Sequence, residues 1–347
     1  MSDDKPRLDE VARIAQVSRA TASKALNGRS DVSDATRVKV LAAAEEVGYR
    51  RSTIGAPQPL IAWVADNLTT TYTLDILRGS AMAAQEAGIG LVTQYTATHQ
   101  GALPPLGDDW FDAVAGHEWL GVIAVTSRLS RHQVTRIRDR GISFVAIDPA
   151  NTMPADMTSI GATNWNGGVD ATQHLVDLGH RRIGFVRGTV GSVPASERLQ
   201  GYLSALSMND LPHDPRLVVG SSFEYEDGVQ AGLHLLSLDE EVRPTAIVAC
   251  NDPLALGVYS AARHLGMQIP DDVSVVGYDD SLMAGLATPG LTTVHQPLQD
   301  MGSSAVRTLL AVHAGRSITE GPVRLATTLV VRDSTAAPLE VVAASAR

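Results

Sequence analysis

The chain has one cysteine, Cys250, in 347 residues, which excludes an internal disulfide and any site built from several thiolates. It ends the apolar run Ala246 to Cys250 with no histidine beside it in sequence, so a small buried strand residue is its expected role. Aromatic residues make up only 4%, and no apolar run approaches the roughly 20 residues that cross a bilayer. The opening residues MSDDKPRLDE lack the basic start and apolar stretch of an export signal, so a cytoplasmic location is expected. Cations are also in deficit: 28 Lys and Arg face 38 Asp and Glu, for a net charge of -10, which argues against indiscriminate nucleic-acid binding. The deficit is uneven, because residues 1–59 hold ten basic against eight acidic side chains and the remainder eighteen against thirty. A small, mildly positive domain on an acidic body suits a protein that touches phosphates through that domain alone. GxGxxG, P-loop, GxSxG and HExxH motifs are absent and the ten histidines are scattered, so no cofactor, metal or catalytic centre is expected.

What is present begins with LDEVARIAQVSRATASKALN, Leu8 to Asn27. Leu8, Val11, Ala12 and Ala15 fall at i, i+3, i+4 and i+7, and Ala22, Ala25 and Leu26 repeat the stripe after the polar corner Gln16-Val17-Ser18. Ser18 is placed to cap the second helix. Two short helices across a tight turn predict a helix-turn-helix whose second member fits a DNA major groove, with an ordinary helical hairpin as the alternative. Asn27-Gly28 supplies a stop, and Ser33-Asp34 opens a third helix over residues 36–47 with Val40, Ala43, Ala44 and Val47 on one face. Three helices can enclose a small core.

After residue 50 the segment RSTIGAPQP, residues 51–59, reads as an extended linker because it is rich in proline, glycine and small polar residues. Strand and helix patterns then alternate almost to the end, which predicts two parallel α/β lobes over residues 60–334. They include a strand over residues 325–331, and residues 335–347 form a tail, expected to be loose from Ala336 onward. Ligands of such folds bind at the carboxyl ends of strands. Asp66-Asn67, Asp148, Asn251-Asp252 and Asp279-Asp280 each fall where a strand gives way to a loop, and amides and carboxylates there suit a polyhydroxylated ligand. The alternative for Asp252 and Asp280 is that they merely cap the following helix.

EVARIAQVSRATASKALNG, followed by VSDATRVKVLAAAEEVGYR, closely resembles the headpiece of the lactose-repressor (LacI/GalR) family of bacterial transcription regulators. LGHRRIGFVRG, ERLQGYLSAL, PTAIVACNDPLALGVYSAARHLGMQIPDDVSVVGYDD and LTTVHQPLQDMG are similar, in order, to the effector domain of the same family. The resemblance implies an all-α helix-turn-helix headpiece joined to a two-lobed α/β effector domain like the periplasmic sugar-binding proteins. It implies a homodimer that binds double-stranded operator DNA with an inverted repeat and responds to a small sugar, most simply as a repressor. Arg19, Ala20 and Lys24 take the family's base-reading positions, which favours guanine in the half-site; Thr21, Ser23 and Asn27 take phosphate positions. Ile54 is the only large apolar side chain in the shortened hinge that could wedge into a minor groove. Gln16 stands where the family has glycine, so a left-handed backbone there carries a cost of order 1 kcal/mol.

For the effector the resemblance implies Arg198 as a guanidinium fork, Asn251 and Asp279 from the second lobe, Gln296 near a crossover, Phe223 as a stacking aromatic, and Asp148, Asp66 and Asn67 from the first lobe. GATNWNGG, residues 161–168, resembles an actinobacterial subgroup associated with xylose and plant-wall sugars, so a pentose or plant-wall oligosaccharide is the expected effector, and Trp165 either covers it or packs at the start of its helix. A sugar-binding transport protein and a carbohydrate-active enzyme are the competing readings.

Overall fold

The computed structural model describes residues 8–26, 29, 32–47, 58–96, 106–116, 119–316 and 321–339. Asn27, Ile54 and residues 51–57 of the expected hinge lie outside them. The chain divides into two compact units, Met1–Pro57 and Gln58–Arg347. Among the described residues, no helix is long and apolar enough to cross a membrane.

The first unit holds α1 (Leu8–Ile14), α2 (Arg19–Leu26) and α3 (Asp34–Glu46). The stripes read from the sequence are its core: Val11, Ala12, Ala15, Ala22, Ala25, Val40, Ala43 and Ala44 are buried together with Val32. Mostly alanine, this core lets short helices approach closely. Ser18 Oγ accepts from the Thr21 amide at 3.0 Å and Ser33 Oγ from the Thr36 amide at 3.3 Å, so the starts of α2 and α3 each satisfy an otherwise orphaned donor. Gln16 turns the corner with φ at +53°, the left-handed conformation anticipated for it. Arg37 donates from α3 to the Arg29 carbonyl at 2.8 Å and so ties down the α2–α3 connection.

The second unit opens with β1 (Leu60–Ala65), α4 (Thr71–Glu86), β2 (Gly90–Tyr95), α5 (Asp108–Gly116), β3 (Trp119–Val125), α6 (Arg131–Asp139), β4 (Phe144–Ile147) and β5 (Thr158–Ala162). It continues with α7 (Asn164–Asp177), β6 (Ile183–Val186), α8 (Val193–Met208), β7 (Val218–Val219), α9 (Tyr225–Leu236), β8 (Ala246–Ala249), α10 (Asp252–His264), β9 (Ser274–Asp279), α11 (Leu282–Leu286) and β10 (Thr292–His295). Last come α12 (Leu298–His313), β11 (Val323–Leu325) and β12 (Thr328–Val330). Two six-stranded sheets result, ordered β2-β1-β3-β4-β5-β11 and β7-β6-β8-β9-β10-β12. Among the described residues every pairing is parallel except β12 with β10. Strands such as β4, β6 and β8 are buried along their whole length, as expected of parallel strands covered by helices on both faces.

The chain passes between the lobes three times: at residues 162–164, 295–298 and 325–328. The stretch 325–331, expected as one strand, is therefore two, and Ala326-Thr327 carries the chain from one sheet to the other. Thr327 and Thr163 hydroxyls lie 2.9 Å apart, and the Thr327 amide donates to Thr163 Oγ1 at 3.0 Å, binding two of the crossovers together. The tail is held as well: Ser334 Oγ donates to the Val275 carbonyl at 2.6 Å, and the Ala336 carbonyl lies 2.9 Å from Nε2 of buried His180. The expected looseness is thus not what Ala336 itself shows, because polar groups beside and on β9 need partners and the tail supplies them.

Candidate DNA-reading face and interlobe cleft

On α2, Arg19, Ala20 and Lys24 are exposed, while Thr21 and Ser23 are half-buried. The apolar side of the helix is fixed in the headpiece core by Ala22 and Ala25, which turns the opposite side outward. The Thr21 hydroxyl is 2.8 Å from Ser18 Oγ, and Arg19 Nε is 3.3 Å from Asp9 Oδ1 on α1.

In the larger unit, polar groups gather where the carboxyl ends of strands meet the crossovers. Arg198, on α8, is 4% exposed. Its Nε donates to Asn164 Oδ1 at 2.9 Å, its Nη1 donates to the Cys250 carbonyl at 2.6 Å, and its guanidinium lies 3.8 Å from the centre of the Tyr278 ring. The same Nη1 is 3.6 Å from Asp279 Oδ1, which also accepts from Gln296 Nε2 at 2.6 Å. Burial opposes the Arg198 charge, but Tyr278 and Asp279 outweigh it and hold its pKa above the usual arginine value. Burial lifts the Asp279 carboxyl to about 7 against the pull of Arg198. Arg198 can stand this close to α7 because Gly201, one turn along α8, packs against the Trp165 carbonyl, where a Cβ would collide.

The first lobe contributes Asp148 at the end of β4, buried and with φ at +40°. Its Oδ2 accepts from the Tyr72 hydroxyl at 2.6 Å. Burial raises the Asp148 pKa, opposed by Tyr72 and Arg198, and raises that of Tyr72 in turn. Thr126, Asp279 and Asp280 also have positive φ values, +50°, +109° and +54°; with Asp148 they put left-handed non-glycine residues at the ends of β3, β4 and β9, backbone strain of the kind that collects at binding sites. Asp66 accepts from the Thr126 hydroxyl. Asn67 Oδ1 accepts from the Thr69 amide and hydroxyl, both at 2.7 Å.

Asn251 caps α10, its Oδ1 accepting from the Leu254 amide at 3.0 Å while its Nδ2 donates to the Phe223 carbonyl at 3.1 Å. The half-buried Phe223 ring lies over Gly188, the space a Cβ there would fill. Asp252 is fully buried between the Thr293 hydroxyl at 2.6 Å and the Ser281 amide at 2.7 Å, and burial lifts it to about 6. Asp280 takes Arg332 at 2.6 Å and His295 at 3.1 Å. Neither of these two acids caps the helix that follows it; both tie strands and loops of the second lobe. Trp165 is 42% exposed and donates to Ser204 Oγ at 3.2 Å.

A cleft of about 320 Å³ opens at the crossover, lined by Asp279, Asp280, His295 and Gln296 together with Asp75 on α4 and residues 297–300, a volume suited to a small ligand. Of the residues expected to bind effector, Asp279 and Gln296 line it, and Arg198 is joined to them through Asp279. Asn67, Asn251 and Trp165 have protein partners of their own. Tyr72, Asn164 and Tyr278 belong to the cluster although sequence reasoning singled out none of them. Gln296 Oε1 and the Tyr278 hydroxyl are buried with no hydrogen-bond partner among the described residues, an arrangement that leaves capacity for a ligand.

Residues 7–52 match the family described as bacterial regulatory proteins, lacI family, and residues 172–335 match a periplasmic binding protein-like domain. The HTH-type transcriptional regulator CelR of Thermobifida fusca is 33% identical over 343 residues, covering 95% of this chain and 98% of that protein. A solved transcriptional regulator CelR–cellobiose complex is similar at a TM-score of 0.72 and 31% identity, over 95% of this chain and 99% of that one. The lac repressor dimer bound to operator and the anti-inducer ONPF matches at a TM-score of 0.75 and 27% identity, over 96% and 100%. These relatives are transcriptional regulators rather than enzymes.

Proposed function

Because the chain belongs to the lacI family of bacterial regulatory proteins, we propose that its interlobe cleft is the sensor that sets its affinity for DNA. The protein is a sequence-specific DNA-binding transcription regulator under the control of a sugar ligand, and it acts on operator DNA as a dimer. In this reading it works in the cytoplasm as a repressor, and the sugar releases it. The residues 1–50 form the DNA-reading headpiece, 51–59 the hinge, and 60–334 the effector and dimerisation domain. Arg19, Ala20 and Lys24 face base edges, with Thr21, Ser23 and Asn27 on phosphates. Asp148, Asp279 and Gln296 take the sugar hydroxyls; Asp66, Asn67, Asn251, Phe223 and Trp165 complete the set; and Arg198 orients Asp279.

The observation that carries this reading is a pair of polar sets, Asp148 with Tyr72 in one lobe and Arg198 with Asp279 and Gln296 in the other or its crossover, near enough for Arg198 to act on the Asp148 carboxyl. A polyol bridging the two sets would change the angle between lobes that three chain passages join. The CelR relative is described with cellobiose, which supports a neutral plant-wall saccharide over a charged ligand for this chain. Thermal unfolding against xylose, xylobiose, cellobiose, arabinose, galactose and sugar phosphates tests it. At a hundred times its dissociation constant a true effector adds about 2.7 kcal/mol of stability. A shift with a neutral sugar is expected; a shift only with sugar phosphates would overturn the ligand class.

A further inference from the structure

Arg19 opens the helix that reads DNA, and among the described residues it pairs with a carboxylate on the neighbouring helix, Asp9 Oδ1 at 3.3 Å from Nε. Both side chains are well exposed, 70% for Arg19 and 64% for Asp9. An acid on this face is costly for a DNA-binding protein, since it repels phosphates and cancels a cation that would release counterions. As a plain surface ion pair it would return little stability. The geometry has a different use. A guanidinium carries five N–H donors in one plane, and a carboxylate whose nearest nitrogen is Nε leaves the two terminal nitrogens, the fork, free of that pairing. Such a fork is the group that reads guanine O6 and N7 together.

We propose that Asp9 is a positioning residue that holds the Arg19 guanidinium in the orientation for reading guanine. This rests on the reading of Arg19 as a base contact. Asp9 also sits in the first turn of α1, where an acid favours the helix dipole, but that role concerns helix stability and not which base is chosen. On DNA the pair loses much of its water, so the attraction that is weak in the free protein strengthens where orientation matters. Asp9 therefore exchanges general affinity for discrimination.

The test uses the full-length protein, a pool of randomised duplex DNA sequenced after selection, and a duplex of unrelated sequence. In Asp9→Asn, preference for guanine at the contacted position should fall about tenfold, within the discrimination a bidentate contact supplies. Affinity for the unrelated duplex should hold or rise, the salt dependence should not weaken, and Asp9→Glu should keep the preference. Arg19→Ala is run beside it. If Arg19→Ala flattens the preference while Asp9→Asn leaves it intact, the positioning role is refuted and the base contact stands. If Arg19→Ala leaves the preference intact, the base contact fails and the proposal fails with it. Helical content by circular dichroism excludes a headpiece that has simply unfolded, and if Asp9→Asn does unfold, Asp9→Ser replaces it with the same expected and refuting results.

Discussion

Replacing Arg198 by methionine keeps most of the side-chain volume and removes the charge. In the native protein that charge satisfies Asn164 Oδ1, the Cys250 carbonyl and the buried Asp279 carboxylate. Breaking a buried ion pair from one side costs about 3–5 kcal/mol. Asp279 can relieve part of this by taking a proton, because burial already places it near 7 and the loss of Arg198 raises it further. What protonation cannot restore is the two hydrogen bonds, each worth about 1.5–3 kcal/mol when the donor is charged. A net loss of about 3–5 kcal/mol follows, lowering the calorimetric transition of the larger unit by roughly 10 °C. Adding Asp279→Asn should recover part of the loss, since the residues are coupled and the second change removes the stranded acid. The sugar response should disappear, while DNA binding measured below the transition persists. A loss under about 1 kcal/mol, the size of an exposed pair, would refute the assignment of Arg198 as the organiser of the cluster.

Three further outcomes follow from the same contacts. The folded state binds the Asp279 proton more tightly than the unfolded chain, so stability falls as pH rises from about 4 to about 7; Asp252, lifted to about 6, adds to the slope, and urea unfolding across this range should show a flatter dependence in Asp279→Asn, an unchanged slope counting against the shift. Gly201→Ala should force α8 from α7, cost about 1–3 kcal/mol and weaken sugar-induced stabilisation; a variant with native stability and sugar affinity would contradict the close packing. Gln16→Gly removes a left-handed penalty of about 1–2 kcal/mol and incurs about 0.5–1 kcal/mol of chain entropy, so amide exchange in α1 to α3 should slow, and acceleration would show that the corner is not strained.

Where side chains report directly on their surroundings, the fold could be read from the chain. The alanine stripes of α1 and α2 and the apolar runs of β1, β3 and β8 each allow one burial pattern, and Ser18 and Ser33 mark helix starts through local hydrogen bonds. Other features depend on groups distant in sequence. Residues 325–331 read as one strand because apolar periodicity does not say which sheet a residue joins, and only the pairings of β11 with β5 and β12 with β10 divide it. Helix α4 begins at Thr71 because Thr70 caps it, and that first turn carries Tyr72 to Asp148, a partner seventy-six residues away that no local pattern announces. Asn164 was visible within GATNWNGG, yet its role depends on Arg198 thirty-four residues later. Arg198, which the family resemblance makes a fork for the effector, has its Nε and one terminal nitrogen bonded to Asn164 and Cys250, partners no spacing could reveal.

The central claim is that the cleft and the DNA-reading face are energetically linked. The most direct test is the affinity of the full-length protein for its selected DNA, measured without sugar and at saturation with the sugar that raises its unfolding temperature. A coupling of about 1–3 kcal/mol predicts a change of roughly 5- to 150-fold, and by reciprocity DNA must alter the affinity for sugar by the same factor. Equal DNA affinity with the cleft empty and saturated would contradict the account, however tightly the sugar binds.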